Sequence, residues 1–171
     1  ILKLLRDDLR QMIDGDSSRG VTVPATPQQW AAPLRHRFTG LFDELDIRSS
    51  WQHPAEWAQA PNALQCLALT RVVEEAMTNI IKHSRARHVR VVLANTDSGG
   101  LALRVEDDGV GFDVQAVQTA GLSVGMRSMQ ARMARVGGDL QVQSAPGATV
   151  LTVQLMPSAL PESQPATLTD R

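Results

Sequence analysis

The chain has 171 residues, 43% of them apolar, enough for one ordinary domain with a sizeable core. Its formal net charge of −1 gives no basic footprint for nucleic acid, although a local cationic pocket remains compatible with it. A single cysteine, Cys66, excludes a disulfide frame or a thiolate metal site built from this chain alone. No apolar run approaches the ~18 residues of a membrane span, and no signal peptide is visible. The first residue is Ile rather than Met, so the chain is expected to be a piece of something longer.

Residues 1–13 place Leu2, Leu5, Leu9 and Met12 at steps of three and four, the seam spacing of a helix that packs on a partner helix. The stretch DGDSSRGVTVPATP reads as a linker. A helix is predicted over 27–44, with Trp30, Leu34, Phe38, Leu41 and Leu45 on one side, followed by a short strand over 46–52. A long helix then runs from near Asn62 to near His83, burying Leu69, Val73, Ala76 and Ile80.

The period next changes from 3.6 to 2. Val89, Val91 and Leu93, then Leu101, Leu103 and Val105, alternate as a hairpin around DSGG. An irregular stretch leads to a helix carrying Met126, Met129, Met133 and Val136, stopped at Gly137-Gly138. Strands DLQVQS and ATVLTVQL close the domain, and the tail from Pro157 has no apolar period and is expected to be disordered. The predicted fold is a two-layer α/β sandwich: a mixed, largely antiparallel sheet with helices on one face.

Within EEAMTNIIKH, Glu75, Asn79 and Lys82 form a polar stripe beside the buried one, with His83 one step further round. At helical spacing Glu75 and Asn79 lie about 40° apart. A carboxylate, an amide oxygen and a cation in line suit a Mg-phosphate group, since magnesium takes oxygen ligands and phosphate takes positive donors. The stripe alone equally fits a solvated helix face with acid–base pairs at i,i+4 spacing. In VEDDGVGFD, Asp108-Gly109-Val110-Gly111 follows a strand; the glycines let backbone approach a ligand, and a carboxylate there can accept from an exocyclic amine. Asp-Gly is also a common turn dipeptide.

Taken in order, EEAMTNIIKHSRA, VEDDGVGFD and SVGMRSMQARMARVGGDLQVQSAPGATVLTVQL resemble the ATP-binding domain of sensor histidine kinases, within the GHKL superfamily of gyrase-type, Hsp90 and mismatch-repair ATPases. The text is similar to kinases that serve LuxR/NarL-type response regulators, which usually read close to QEALTNxxKH. The resemblance covers about 61–156, is looser over 27–60 and is absent from the tail. It implies ATP and Mg²⁺ as cofactors. Asn79 matches the magnesium-binding asparagine, and Glu75 the acid that orients or deprotonates the attacking group. Lys82 and His83 match positions near the phosphates. Asp108 matches the adenine-reading aspartate, with Gly109 and Gly111 shaping the pocket wall. SVGMRSMQAR aligns with the family's GxGLxxMRER, so Ser123 stands for the first glycine, Gly125 for the second and Met126 for the leucine. Thr149 takes the threonine position near adenine, and DVQAVQTAGL that of the ATP lid.

The resemblance further implies an organisation: the end of a dimerisation helix over 1–13, a linker over 14–26, the catalytic domain over 27–156 and a tail over 157–171. The parent is then a homodimer through its upstream domain, partnered by a response regulator, with no nucleic acid and no membrane contact in this piece. The domain would be cytoplasmic, with an anchor of the parent in the bacterial inner membrane left open. The family's phosphoacceptor histidine is followed by an acid. His36, His53, His83 and His88 are followed by Arg, Pro, Ser and Val, so the acceptor is expected before Ile1. The methionine stripe together with Met156, and Trp30, Trp51 and Trp57, are expected to pack the core. The basic run KHSRARHVR suits either a solvated helix end or phosphate contact. Two alternatives stand beside the kinase: another GHKL enzyme of the anti-sigma-factor serine kinase type, and a degenerate regulatory module.

Overall fold

A computed structural model describes residues 23–121 and 124–158. The expected helix over 1–13, most of the linker, Ser123 and nearly all of the tail lie outside the described residues.

Helix α1 spans Pro27–Glu44. Thr26 caps it by accepting from the Gln29 N–H, and proline at the first helical position costs no hydrogen bond. Strand β1 is Arg48–Gln52. Helix α2, Ala63–Asn79, opens with a reciprocal box: Asn62 Oδ1 accepts from Gln65 N–H at 2.8 Å, and Gln65 Oε1 accepts from Asn62 N–H at 3.1 Å. The same Gln65 amide donates to the carbonyls of Val136 and Met156, tying the foot of α2 to the far side of the domain. At its other end α2 runs into a π turn over Ile80–Ser84, closed by Arg85 in the left-handed conformation. Strands β2 (His88–Asn95) and β3 (Leu101–Asp107) follow, then a short helix α3 (Val114–Thr119), helix α4 (Val124–Ala134), and strands β4 (Gly138–Ala145) and β5 (Ala148–Leu155).

The five strands form one sheet in the order β1-β2-β3-β5-β4. β1 pairs parallel with β2 and the remaining pairs are antiparallel, so α2 is the crossover of a βαβ unit. The apolar face is built in rows across the ladder. Leu93, Leu103, Val153 and Leu140 stand in register, and beside them Val91, Val105, Leu151 and Val142. Against these rows pack Leu69, Val72, Val73 and Met77 of α2, Phe38 and Phe42 of α1, and Met133 of α4, each almost fully buried. Truncating one of them to alanine costs roughly 2–5 kcal/mol. The opposite face is wet, with Arg90, Arg104, Gln141, Gln143 and Gln154 exposed. The two-layer sandwich expected from sequence is the fold observed. The buried stripe of Leu69, Val73, Ala76 and Ile80 is likewise as expected, whereas Leu45, expected on the inner side of the first helix, and Met156, expected in the core, are exposed.

The third row differs in kind. Val89 is followed across the sheet by Asp107, Thr149 and Ser144. There the apolar layer gives way to polar side chains on the helix-facing side of the sheet.

Candidate functional site

A hollow of about 360 Å³ opens where that polar row meets the C-terminal half of α2. The helix side presents Glu75, Ala76, Asn79, Ile80, His83 and Ser84; the sheet side presents Val105, Asp107, Val142, Thr149 and Leu151. Gly125, Met126 and Met129 of α4 form a third wall, with Gly111, Phe112 and Val117 completing the rim. Its size and largely apolar lining, with a few convergent polar groups, are those of a small-molecule site.

The π turn decides which residues of α2 face inward. Each residue of an i→i+5 turn advances by roughly 80°, against roughly 100° in an α-helix. From Ile80 on, the chain therefore lags behind the α phase. His83 comes round onto the line of Glu75 and Asn79, and Ser84 onto that of Ala76 and Ile80. All six line the hollow. Lys82, expected beside Glu75 on uninterrupted helical spacing, falls outside the line; it is exposed and does not line the hollow. This corrects its expected placement in line with Glu75 and Asn79.

Glu74 and Glu75 separate cleanly. Glu74 is held by Arg37 at 2.9 Å and Arg71 at 3.0 Å, away from the hollow. Glu75 turns inward against the first turn of α4: a Cβ on Gly125 would lie 2.6 Å from Glu75 Oε1. Glu75 and Asn79 make no side-chain hydrogen bond among the described residues, which leaves two hard oxygen donors one turn apart and facing the hollow. No group of three or more acidic, histidine or cysteine side chains gathers among the described residues.

The carboxylate on the sheet side is Asp107, not Asp108. Asp107 continues the alternation of Leu101, Leu103 and Val105, so its side chain points to the helix layer, where it is 9% exposed. Its Oδ1 accepts from Ser84 Oγ and from the Gly109 N–H, the latter at 2.9 Å. Its Oδ2 has no hydrogen bond among the described residues. Asp108, the residue expected to read the base, points the other way and does not line the hollow. It accepts instead from the backbone N–H groups of Arg87 (2.7 Å) and His88 (2.8 Å) and pairs with His88 Nδ1 (2.7 Å). Desolvation would raise this carboxyl, but the His88 backbone and side-chain hydrogen bonds, the Arg87 N–H and the His88 charge outweigh it and bring it down to about 2. Asp108 is a clasp between β2 and the end of β3.

Of the two glycines expected to shape the wall, Gly111 lines the hollow and Gly109 does not, but neither position has room for a side chain. A Cβ on Gly109 would overlap both Ser84 Oγ and the Ser84 carbonyl. Gly111 has φ +68, and its Cβ would overlap the Ala145 carbonyl. Thr149 lines the hollow directly across the ladder from Asp107, and its hydroxyl shares a 2.6 Å hydrogen bond with Ser144. Ser144 Oγ in turn accepts from the Phe112 N–H at 3.0 Å. Sequence reasoning did not single out Asp107, Ser84 or Met129. The parity of β3 carries the signal for Asp107; nothing in the sequence announces the π turn that delivers Ser84. Met126 and Met129 pack the core, as expected of the stripe, and line the hollow as well.

Sheet order and hollow together define an α/β sandwich with a ligand site between its central helix and the polar end of its core. Residues 66–158, more than half of the chain, match the family described as histidine kinase-, DNA gyrase B-, and HSP90-like ATPase, and the chain belongs to that family. Sensor histidine kinase LiaS of Bacillus subtilis is 39% identical over 117 residues, covering 67% of this chain and 31% of LiaS. Among solved structures, the histidine kinase domain of the blue-light activated histidine kinase of Erythrobacter litoralis EL346 has a TM-score of 0.66 at 16% identity, covering 85% of this chain and 72% of that one. Histidine kinase AdeS of Acinetobacter baumannii has a TM-score of 0.64 at 14% identity, covering 92% and 79%. These two likenesses show the fold. The chain spans less than a third of the length of the curated relatives it matches. No helix among the described residues is long and apolar enough to cross a membrane.

Proposed function

We propose that the chain is the ATP-binding catalytic domain of a two-component sensor histidine kinase. It would donate the γ-phosphoryl of ATP to a histidine on the dimerisation helices of a homodimeric parent, for relay to an aspartate of a LuxR/NarL-type response regulator. One observation carries the reading: Asp107 Oδ2 and the Asn79 amide, both without protein partners among the described residues, face the same 360 Å³ hollow from opposite walls. The first suits an exocyclic amine, the second a metal–phosphate group.

In this reading adenine lies against Met126, Met129, Val105 and Leu151, its amino group donating to Asp107, with Thr149 beside it. The Asn79 amide oxygen would be a ligand to Mg²⁺, whose remaining positions would fall to phosphates and water. Bound there, the ion would neutralise phosphate charge. His83 also lines the hollow and is a candidate donor to the phosphates. Glu75 holds the N–H of the incoming imidazole, so that the lone pair of the opposite nitrogen faces phosphorus. The N–P bond forms as the bond to the ADP oxygen breaks, and ADP leaves with that electron pair. Such transfer asks the protein mainly for positioning and charge stabilisation.

None of the chain's four histidines suits the acceptor role. None is followed by an acid, and His88 is engaged by Asp108. In this reading the domain works in the cytoplasm, whether or not the parent is anchored in a membrane. Calorimetric titration with ATP, with and without Mg²⁺, tests the reading. Binding that strengthens with Mg²⁺, together with an acid-labile label on the full-length protein from ATP labelled in the γ position, supports it. Absence of nucleotide binding overturns it.

A further inference from the structure

We propose that Ser84 is a positioning residue for base discrimination: it fixes which oxygen of Asp107 meets the ligand. The inference rests on the nucleotide reading of the hollow given above.

A carboxylate offers two oxygens and only accepts. Asp107 Oδ1 already receives two donors, the Ser84 hydroxyl and the Gly109 N–H. Only Oδ2 is left to face the hollow, and the two bonds on its neighbour stop the group from rotating. A ligand must therefore bring an N–H to that point. A purine with an amino group at position 6 does so; one with a keto oxygen there sets acceptor against acceptor, and one with hydrogen there leaves Oδ2 unpaired. A site built around a buried acceptor discriminates strongly against ligands that lack the donor.

Ser84 has no freedom to do otherwise. Its carbonyl accepts from the Val110 N–H at 2.8 Å, while its hydroxyl holds Asp107. One residue thus joins the end of α2 to the loop after β3 through main chain and side chain together. Gly109 must lack a Cβ for the two to approach, since that atom would overlap both polar atoms of Ser84. The π turn brings Ser84 onto the inward line, and Arg85, at φ 53, turns the chain away immediately afterwards. The arrangement is specific to the hydroxyl: alanine keeps the backbone bond to Val110 but frees Asp107 to rotate.

The test is calorimetric titration of the full chain and its Ser84→Ala variant with three magnesium-bound triphosphates: ATP, inosine triphosphate and the purine riboside triphosphate that carries hydrogen at position 6. The expected result is that Ser84→Ala lowers the preference for ATP over the purine analogue by about fivefold to tenfold, the scale of one ordinary hydrogen bond. Affinity for the purine analogue itself should stay within about twofold, because that ligand never used Oδ2. A merely structural serine would weaken all three ligands by one common factor, and that outcome overturns the proposal, as does an unchanged preference. If Ser84→Ala does not fold, Ser84→Cys, which keeps a side-chain atom in place but donates only weakly, is judged by the same ratio. If the parent chain binds ATP but Ser84→Ala keeps its preference, the positioning role fails alone. If the parent binds none of the three, the nucleotide reading fails and takes this proposal with it.

Discussion

Asp107 and Thr149 stand directly opposite each other in the β3–β5 ladder, two residues beyond the last apolar pair on the same face, Val105 and Leu151. The polar floor of the hollow is therefore a continuation of the core by the same alternation, with side chains changed from hydrocarbon to oxygen.

The adjacent aspartates should separate in function. Asp107→Asn replaces the accepting carboxylate with an amide and should weaken ATP binding by about tenfold to a hundredfold, the range for a lost hydrogen bond to a charged group. Asp108→Asn should change it by no more than about twofold, since Asp108 does not reach the hollow. Calorimetry on both variants decides it, and the opposite ranking would return the base-reading role to Asp108.

Asn79→Ala should leave the fold intact, because Asn79 is half-buried and its amide holds no other residue among those described. Its melting temperature should match the parent's, while the dependence of ATP affinity on Mg²⁺ disappears. Retention of that dependence would show that the metal is held elsewhere.

Gly125→Ala makes a less obvious case. The added Cβ meets only the flexible end of Glu75, so thermal stability should hold or rise slightly, alanine being the better helix former by about 1 kcal/mol. The carboxylate must move, however. Phosphoryl transfer by the full-length protein should fall at least about tenfold, the scale of a misplaced catalytic group. A variant as active as the parent would mean that the position of Glu75 does not matter.

The Asp108 clasp predicts a pH signature. The carboxyl stands at about 2 in the folded chain against an ordinary 3.8. A carboxylate lowered by folding adds stability above its unfolded value and loses it as pH falls through its folded one. The melting-temperature advantage of the parent over Asp108→Asn should therefore be full above about pH 4 and vanish toward pH 2. The effect will be small, because the Asp108 side chain is 40% exposed and screened by solvent. An advantage that stays constant over this range would remove the charge from the explanation.

What could be seen beforehand divides along physical lines. Periodicity exposed the strands and long helices because each has one apolar face, and α1 begins and ends where the pattern places it. The two-glycine motif after β3 also stood out. The choice between Asp107 and Asp108 is available in the same alternation: Leu101, Leu103 and Val105 extend by parity to 107, whereas taking the aspartate directly before Gly109 gives 108. Lys82 misled for a different reason. Its placement assumed a constant turn angle, and a switch from i→i+4 to i→i+5 bonding leaves no mark on composition. Helix α3 has no buried residue and hence no apolar stripe to find. The parallel pairing of β1 with β2 depends on contacts across the whole of α2, which local pattern does not encode.

The five residues from Ile80 to Ser84 give one continuous rod two phases, an upstream phase set by the sheet beneath it and a downstream phase set by the cavity at its end. Point changes in that segment alter one contact at a time. With no residue removed, a plain α phase through this segment would carry Ser84 off the cavity and bring Lys82 beside Glu75, whereas deleting one residue would let a plain α-helix keep the last two on the cavity side. In this stretch, chain length is as much a determinant of chemistry as residue identity.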